Sequence, residues 1–110
     1  MPYVKVVYSG DAAAAETLAS ALSKAASAGL GKPETYVMVK IEHCASLLFG
    51  GSTDPAAMVQ IESVGGSLST IIGPITDAVV SYGGIKADRV FVNFTSYDRS
   101  FWGMNGTTFG

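Results

Sequence analysis

The chain repeats itself, and the repeat limits the folds open to it. The stretch "GKPETYVMV" lines up with "IKADRVFVN", setting Lys32 against Lys86, Pro33 against Ala87, Glu34 against Asp88 and Met38 against Val92. "YVKVVYSG" lines up with "MVQIESVG" at nearly the same offset. Each half runs in the same order. In the first, "YVKVVYSGD" is a β-branched and aromatic run closed by Ser9, Gly10 and Asp11, with Asp11 suited to an N-cap. "AAAAETLASALSKAASAG" follows as a helix with a narrow apolar face through Leu18 and Leu22, stopped by Gly29, Gly31 and Pro33. "TYVMVKIEH" reads as the second strand. In the other half, "AMVQIESVGG" is a strand and "TIIGPITDAVVSYGG" a helix with Ile71, Ile72, Ile75 and Val79 on one side. Pro74 lies near enough to that helix's start to be tolerated, with room for a kink. "DRVFVNFTS" is the last strand.

Two β-α-β units predict an α+β fold: a four-stranded mixed sheet with two helices on one face. A helical crossover makes the two strands of each unit parallel. The repeats span about residues 2–50 and 55–100 of a single domain covering 1–110. The tail 101–110, "FWGMNGTTFG", has strand character and no counterpart in the first half, so pairing with a neighbouring subunit is expected.

Charged residues make up only 15% of the 110, against a usual share of about 25%. A small domain has much surface, so the shortage predicts that some of it is covered by other subunits. The net charge of −2 has no basic cluster behind it, which argues against nucleic-acid and membrane partners. No apolar run spans a bilayer and no signal pattern opens the chain, so a cytoplasmic protein is expected. One cysteine, Cys44, leaves no internal disulfide and no cysteine-rich metal site.

Pro2 is the residue that points to chemistry. Without Met1 its nitrogen is a secondary amine at the end of a strand. An "MP" start is common, and alone it says little.

Together, "MP", "GKPETYVMV", "FGGSTDPAA", "ESVGG", "ADRVFVNF" and "WGMNGTTFG" resemble, in order and spacing, the macrophage migration inhibitory factor and D-dopachrome tautomerase family. The resemblance covers nearly the whole chain. It implies a homotrimer and a cofactor-free keto–enol tautomerase with Pro2 as catalytic base. It implies no metal, and a small aromatic 2-keto acid or enol as substrate. By the same resemblance Lys32 contacts the substrate's acidic part, and Ser63 and Val64 lie along the pocket floor. Tyr36, Phe91, Asn93, Trp102 and Phe109 line the pocket, some from an adjacent subunit. Phe91 stands where many members have tyrosine, and Met104 where tryptophan is common. The loop after "ESVGG" is shorter than in the vertebrate proteins. Ala56 and Val59 replace the vertebrate cysteine pair, so no thiol-redox activity carries over.

The chemistry suits these residues. A tautomerase needs one base with a pKa near the working pH. An α-amino group starts at about 8, and apolar burial lowers it. Lys32 adds a positive charge acting the same way and can hold a carboxylate or an enolate oxygen. Plainer readings stand beside these. Lys32 also suits a helix C-terminus. Asn93 can satisfy backbone at a strand end. Phe91, Trp102 and Phe109 also suit interface packing. His43 reads as solvated, Cys44 as a small buried hydrophobe, and Asp88 and Arg89 as local caps and pairs. Two other functions stay open. One is a cytokine-like or protein-binding trimer with a vestigial pocket, whose receptor and release without a signal peptide rest on family analogy. The other is a different reaction of the same superfamily on the same proline, such as decarboxylation or dehalogenation.

Overall fold

The computed structural model describes residues 1–110. Strands β1 (Tyr3–Tyr8), β2 (Met38–His43), β3 (Ala57–Val64) and β4 (Val90–Tyr97) form one sheet in the order β2-β1-β3-β4. The pairs β1–β2 and β3–β4 are parallel, and β1–β3 is antiparallel. The sheet is therefore mixed, as the two crossovers require. Helices α1 (Ala15–Leu30) and α2 (Ile72–Gly83) are those crossovers, and they pack against each other.

Alternation along β1 and β3 decides which face is covered. Val4, Val6 and Tyr8 of β1 and Val59 and Ile61 of β3 are wholly buried, and they share a core with Leu18, Leu22 and Ala26 of α1 and Ile71, Ile75 and Val79 of the α2 segment. The strand period of two sends their neighbours to the opposite, helix-free face. Exposed there are Met38 (67%) and Phe91 (60%).

Asp11 caps the first helical segment, its side chain accepting the Ala13 amide at 3.0 Å. The segment opens as a 3-10 turn, Ala12–Ala14, before α1 begins. Both helices end in a left-handed glycine, Gly31 (φ 62°) and Gly84 (φ 68°), a conformation glycine adopts without penalty.

Several expectations need correction. β2 begins at Met38, because Glu34–Tyr36 form a 3-10 turn: the Pro33 carbonyl accepts the Tyr36 amide at 3.0 Å. The second repeat has the same device in Ala87–Arg89. Ile72 does not share the face of Ile71, Ile75 and Val79; it is 40% exposed, being one residue, or about 100° of helix, off that stripe. Pro74 falls in the first turn of α2, where its missing N–H deprives the helix of no bond.

Arg89 is more than a local cap. Its guanidinium donates to the carbonyls of Phe49, Ser52, Asp54 and Pro55 at 3.0–3.2 Å and lies 5.2 Å from the Phe49 ring centroid. One side chain thus gathers the loop leading into β3. His43 has a partner too, with Nε2 3.0 Å from the Gly10 carbonyl oxygen, and Cys44 is half-buried.

The tail pairs with itself. β5 (Gly103–Met104) and β6 (Thr107–Thr108) form a hairpin across Asn105 (φ 55°) and Gly106 (φ 78°). An Asn-Gly pair with both φ positive is the turn that matches strand twist.

Candidate functional site

Pro2 sits one residue ahead of β1. Its carbonyl accepts the Met38 amide at 3.0 Å, and its ring is wholly buried. A cavity of about 260 Å³ opens beside it, lined by Met1, Pro2 and Tyr3, by Thr35 to Val37 from the turn before β2 and Met38 at its start, and by Trp102, Gly103, Met104 and Phe109 from the tail. Most of this wall is apolar. The hairpin brings its parts together: the Phe109 amide donates to the Trp102 carbonyl at 3.0 Å, and the Trp102 ring meets Tyr97 edge-on, centroids 5.6 Å apart.

Lys32 lies just past the C-terminal end of α1, where its amide donates to the Ser27 carbonyl at 3.1 Å. Burial lowers the pKa of the Met1 amine below its usual 8.0, and the nearby Lys32 charge lowers it further. Both act by disfavouring the charged form. In this chain the Pro2 nitrogen is an amide bonded to Met1, and an amide nitrogen is not a base. Removal of Met1 turns that nitrogen into the terminal amine, one residue deeper in the same surroundings.

The expected site residues divide into three groups. Pro2, Tyr36, Trp102 and Phe109 line the one cavity, with Lys32 close enough for its charge to reach the amine. Ser63 and Val64 do not line it. The β1–β3 register sets Tyr3 against Glu62, so they fall beside the Pro2 end of β1. There Ser63 is wholly buried with its hydroxyl unpartnered, and Val64 is 7% exposed. Phe91 and Asn93 lie away from the cavity. They pair with Met58 and Gln60, whereas the Pro2 end of β3 pairs with Tyr97. Phe91 is six residues before Tyr97, about 20 Å along the strand, and packs on Phe49 with centroids 4.6 Å apart. The reason is topological. β3 runs antiparallel to β1, so the start of β4 lies at the far end of the sheet from the start of β1.

Sequence reading missed Tyr3, Thr35, Val37 and Met38 as cavity residues. The available signal was their adjacency to Pro2 and Tyr36 across two parallel strand starts.

A sequence profile described as macrophage migration inhibitory factor matches residues 1–110. The chain belongs to the macrophage migration inhibitory factor family. It is 33% identical over 102 residues to the macrophage migration inhibitory factor of Xenopus tropicalis, covering 86% of this chain and 85% of that one. It is 35% identical over 95 residues to the homologue from Trichuris trichiura, covering 79% and 80%. Among solved structures, the Prochlorococcus marinus homologue superposes with a TM-score of 0.87 at 33% identity, over 98% of this chain and 99% of that chain. The duplicated β-α-β sheet with two helices on one face is thus the fold of this family. No helix is long and apolar enough to cross a membrane.

Proposed function

We propose that the chain freed of Met1 is a cofactor-free keto–enol tautomerase in which the Pro2 amine is general base and acid. The observation that carries the reading is the placement of Pro2: fully buried at the wall of a largely apolar cavity, next to an amine whose pKa burial and Lys32 lower.

The proposed cycle needs one proton. The neutral Pro2 amine takes the hydroxyl proton of an enol such as enolpyruvate bearing a phenyl group. The enolate's carbon–carbon double bond then takes that proton from the Pro2 ammonium at carbon as the carbonyl forms. Lys32 pairs with the substrate carboxylate and steadies the enolate oxygen, which carries the developing charge. Tyr36, Trp102 and Phe109 enclose the aromatic ring and exclude water. Ser63 and Val64 lie beside the Pro2 end of β1, and we assign them to the floor beneath the base. The substrate class is a small aromatic 2-keto acid or its enol.

We assign Phe91 and Asn93 to the cavity of a neighbouring copy in a homotrimer. The exposed apolar residues of the helix-free sheet face and the low charge content support an assembly of this kind. A monomer in light scattering at micromolar concentration sinks the trimer.

The test of the activity compares three chains on phenylpyruvate without added metal: Met1-free, Met1-bearing and Pro2→Gly. Full turnover is expected in the first, none in the Met1-bearing chain, and a strong fall in Pro2→Gly, whose amine is primary and less constrained. Equal turnover in all three sinks the role of Pro2.

A further inference from the structure

We propose that Arg99 is a positioning residue for the proposed reaction: it holds the aromatic wall of the Pro2 cavity in place and so sets how well a ring-bearing substrate is bound. The proposal rests on the tautomerase reading for its kinetic consequence, and on geometry alone for the wall.

Within one chain, the wall is built from a segment with few other bonds to hold it. β5 and β6 are two residues each and pair only with one another. A two-stranded hairpin is marginal by itself, and all four of its strand residues are exposed. Yet Trp102 and Phe109, which flank it, form one side of the cavity.

Arg99 supplies an anchor. Its Nε and one terminal nitrogen both donate to the Phe109 carbonyl, at 3.2 and 3.0 Å. The Phe109 amide in turn donates to the Trp102 carbonyl at 3.0 Å. The backbone of Phe109 is therefore held on both its polar groups, one by Arg99 and one by Trp102. Packing is close as well: a Cβ added at Gly110 would lie 2.7 Å from the Arg99 Cβ.

The base of this anchor is itself fixed. Arg99 opens a 3-10 turn, Arg99–Phe101, and Asp98 caps it by accepting the Ser100 amide at 3.0 Å together with the Ser100 hydroxyl. Tyr97, at the end of β4, meets the Trp102 ring. The chain of support thus runs from the sheet through Tyr97 and Asp98 to Arg99, and from Arg99 to the ring that closes the cavity.

A guanidinium suits this task better than an ammonium. Its planar fork offers two donors to one carbonyl in a fixed direction, whereas lysine offers a point charge on a flexible stem. Losing the fork frees the tail without touching the core, the Pro2 strand or Lys32. Wall contacts serve substrate and transition state alike, so their loss raises KM and spares kcat.

Trp102 is the only tryptophan in the chain, so its fluorescence reports the wall directly and needs no turnover. In Arg99→Ala, emission should shift to the red and acrylamide quenching should rise about threefold, a scale set by local opening of a weakly held segment. Arg99→Lys should fall between. Global unfolding followed at the sheet by circular dichroism should stay within a few degrees of the parent chain. In the Met1-free protein, KM for phenylpyruvate should rise roughly tenfold with kcat held within about twofold. KM for an aliphatic 2-keto acid should move much less, because it has no ring to lay on the wall. Unchanged quenching in Arg99→Ala overturns the proposal outright. So does altered quenching with an equal change in KM for aromatic and aliphatic substrates, or recovery of neither property in Arg99→Lys. A parent chain without turnover sinks the tautomerase reading alone, and quenching still decides the wall.

Discussion

The carbonyl of Pro2 accepts the backbone amide of Met38 at 3.0 Å. The residue proposed as the base thereby also makes the contact that opens the β1–β2 ladder. Its position is set by the sheet rather than by a loop, which suits a group proposed to take a proton from one substrate atom and deliver it to another. Met38 also lines the cavity, so this contact ties wall and base together.

The terminal amine should titrate below the ordinary value. Burial first and Lys32 second disfavour its charged form in the Met1-bearing chain. The unfolded amine, with its ordinary pKa of about 8, then binds more protons than the folded one just below that pH. Stability should therefore rise as pH climbs from the folded pKa towards about 8 and level off beyond it. Nitrogen-15 NMR titration of the labelled amine checks the direction. Lys32→Ala should move the value back up; no movement would mean the Lys32 charge does not reach the amine.

Lys32 should also act on substrate charge. Charge-assisted hydrogen bonds are worth about 1.5–3 kcal/mol, so Lys32→Ala should lower kcat/KM on phenylpyruvate by roughly ten- to a hundredfold. An esterified substrate should lose much less. Equal losses for acid and ester would reduce Lys32 to a helix-end residue.

Ser63→Ala should leave the Met1-bearing chain at least as stable as it was. The Ser63 hydroxyl is buried without a partner, and such a group costs about 1–3 kcal/mol. Denaturant unfolding should show a midpoint that is unchanged or higher. A clear fall would mean that the hydroxyl has a partner after all.

Arg89→Ala should destabilise the loop before β3. Four backbone carbonyls and the Phe49 ring lose their shared cation. The loss should be about 2–3 kcal/mol, since bonds to one group do not add in full. Hydrogen exchange should quicken first in residues 49–55. Protection there equal to the parent would show that the loop holds without Arg89.

What the sequence determined by itself was the part written in periodicity. Alternating β-branched runs and a four-residue helical stripe specify two β-α-β units, because burying one face is enough to choose strand or helix. The matching 3-10 turns within "GKPETYVMV" and "IKADRVFVN" were not legible there, because "TYV" carries strand composition and only the structure turns it back. Tertiary structure decided what depends on contacts between distant segments. Arg89 reaches carbonyls 34 to 40 residues away, and nothing in "ADRV" announces them. The tail folds into a hairpin of its own and walls the Pro2 cavity, a placement its composition does not announce. Phe91 and Asn93 sit at the opposite end of the sheet from Pro2, because antiparallel pairing of β1 with β3 reverses the second unit. Local pattern records which face each residue turns inward; only the relative direction of the strands decides which ends meet.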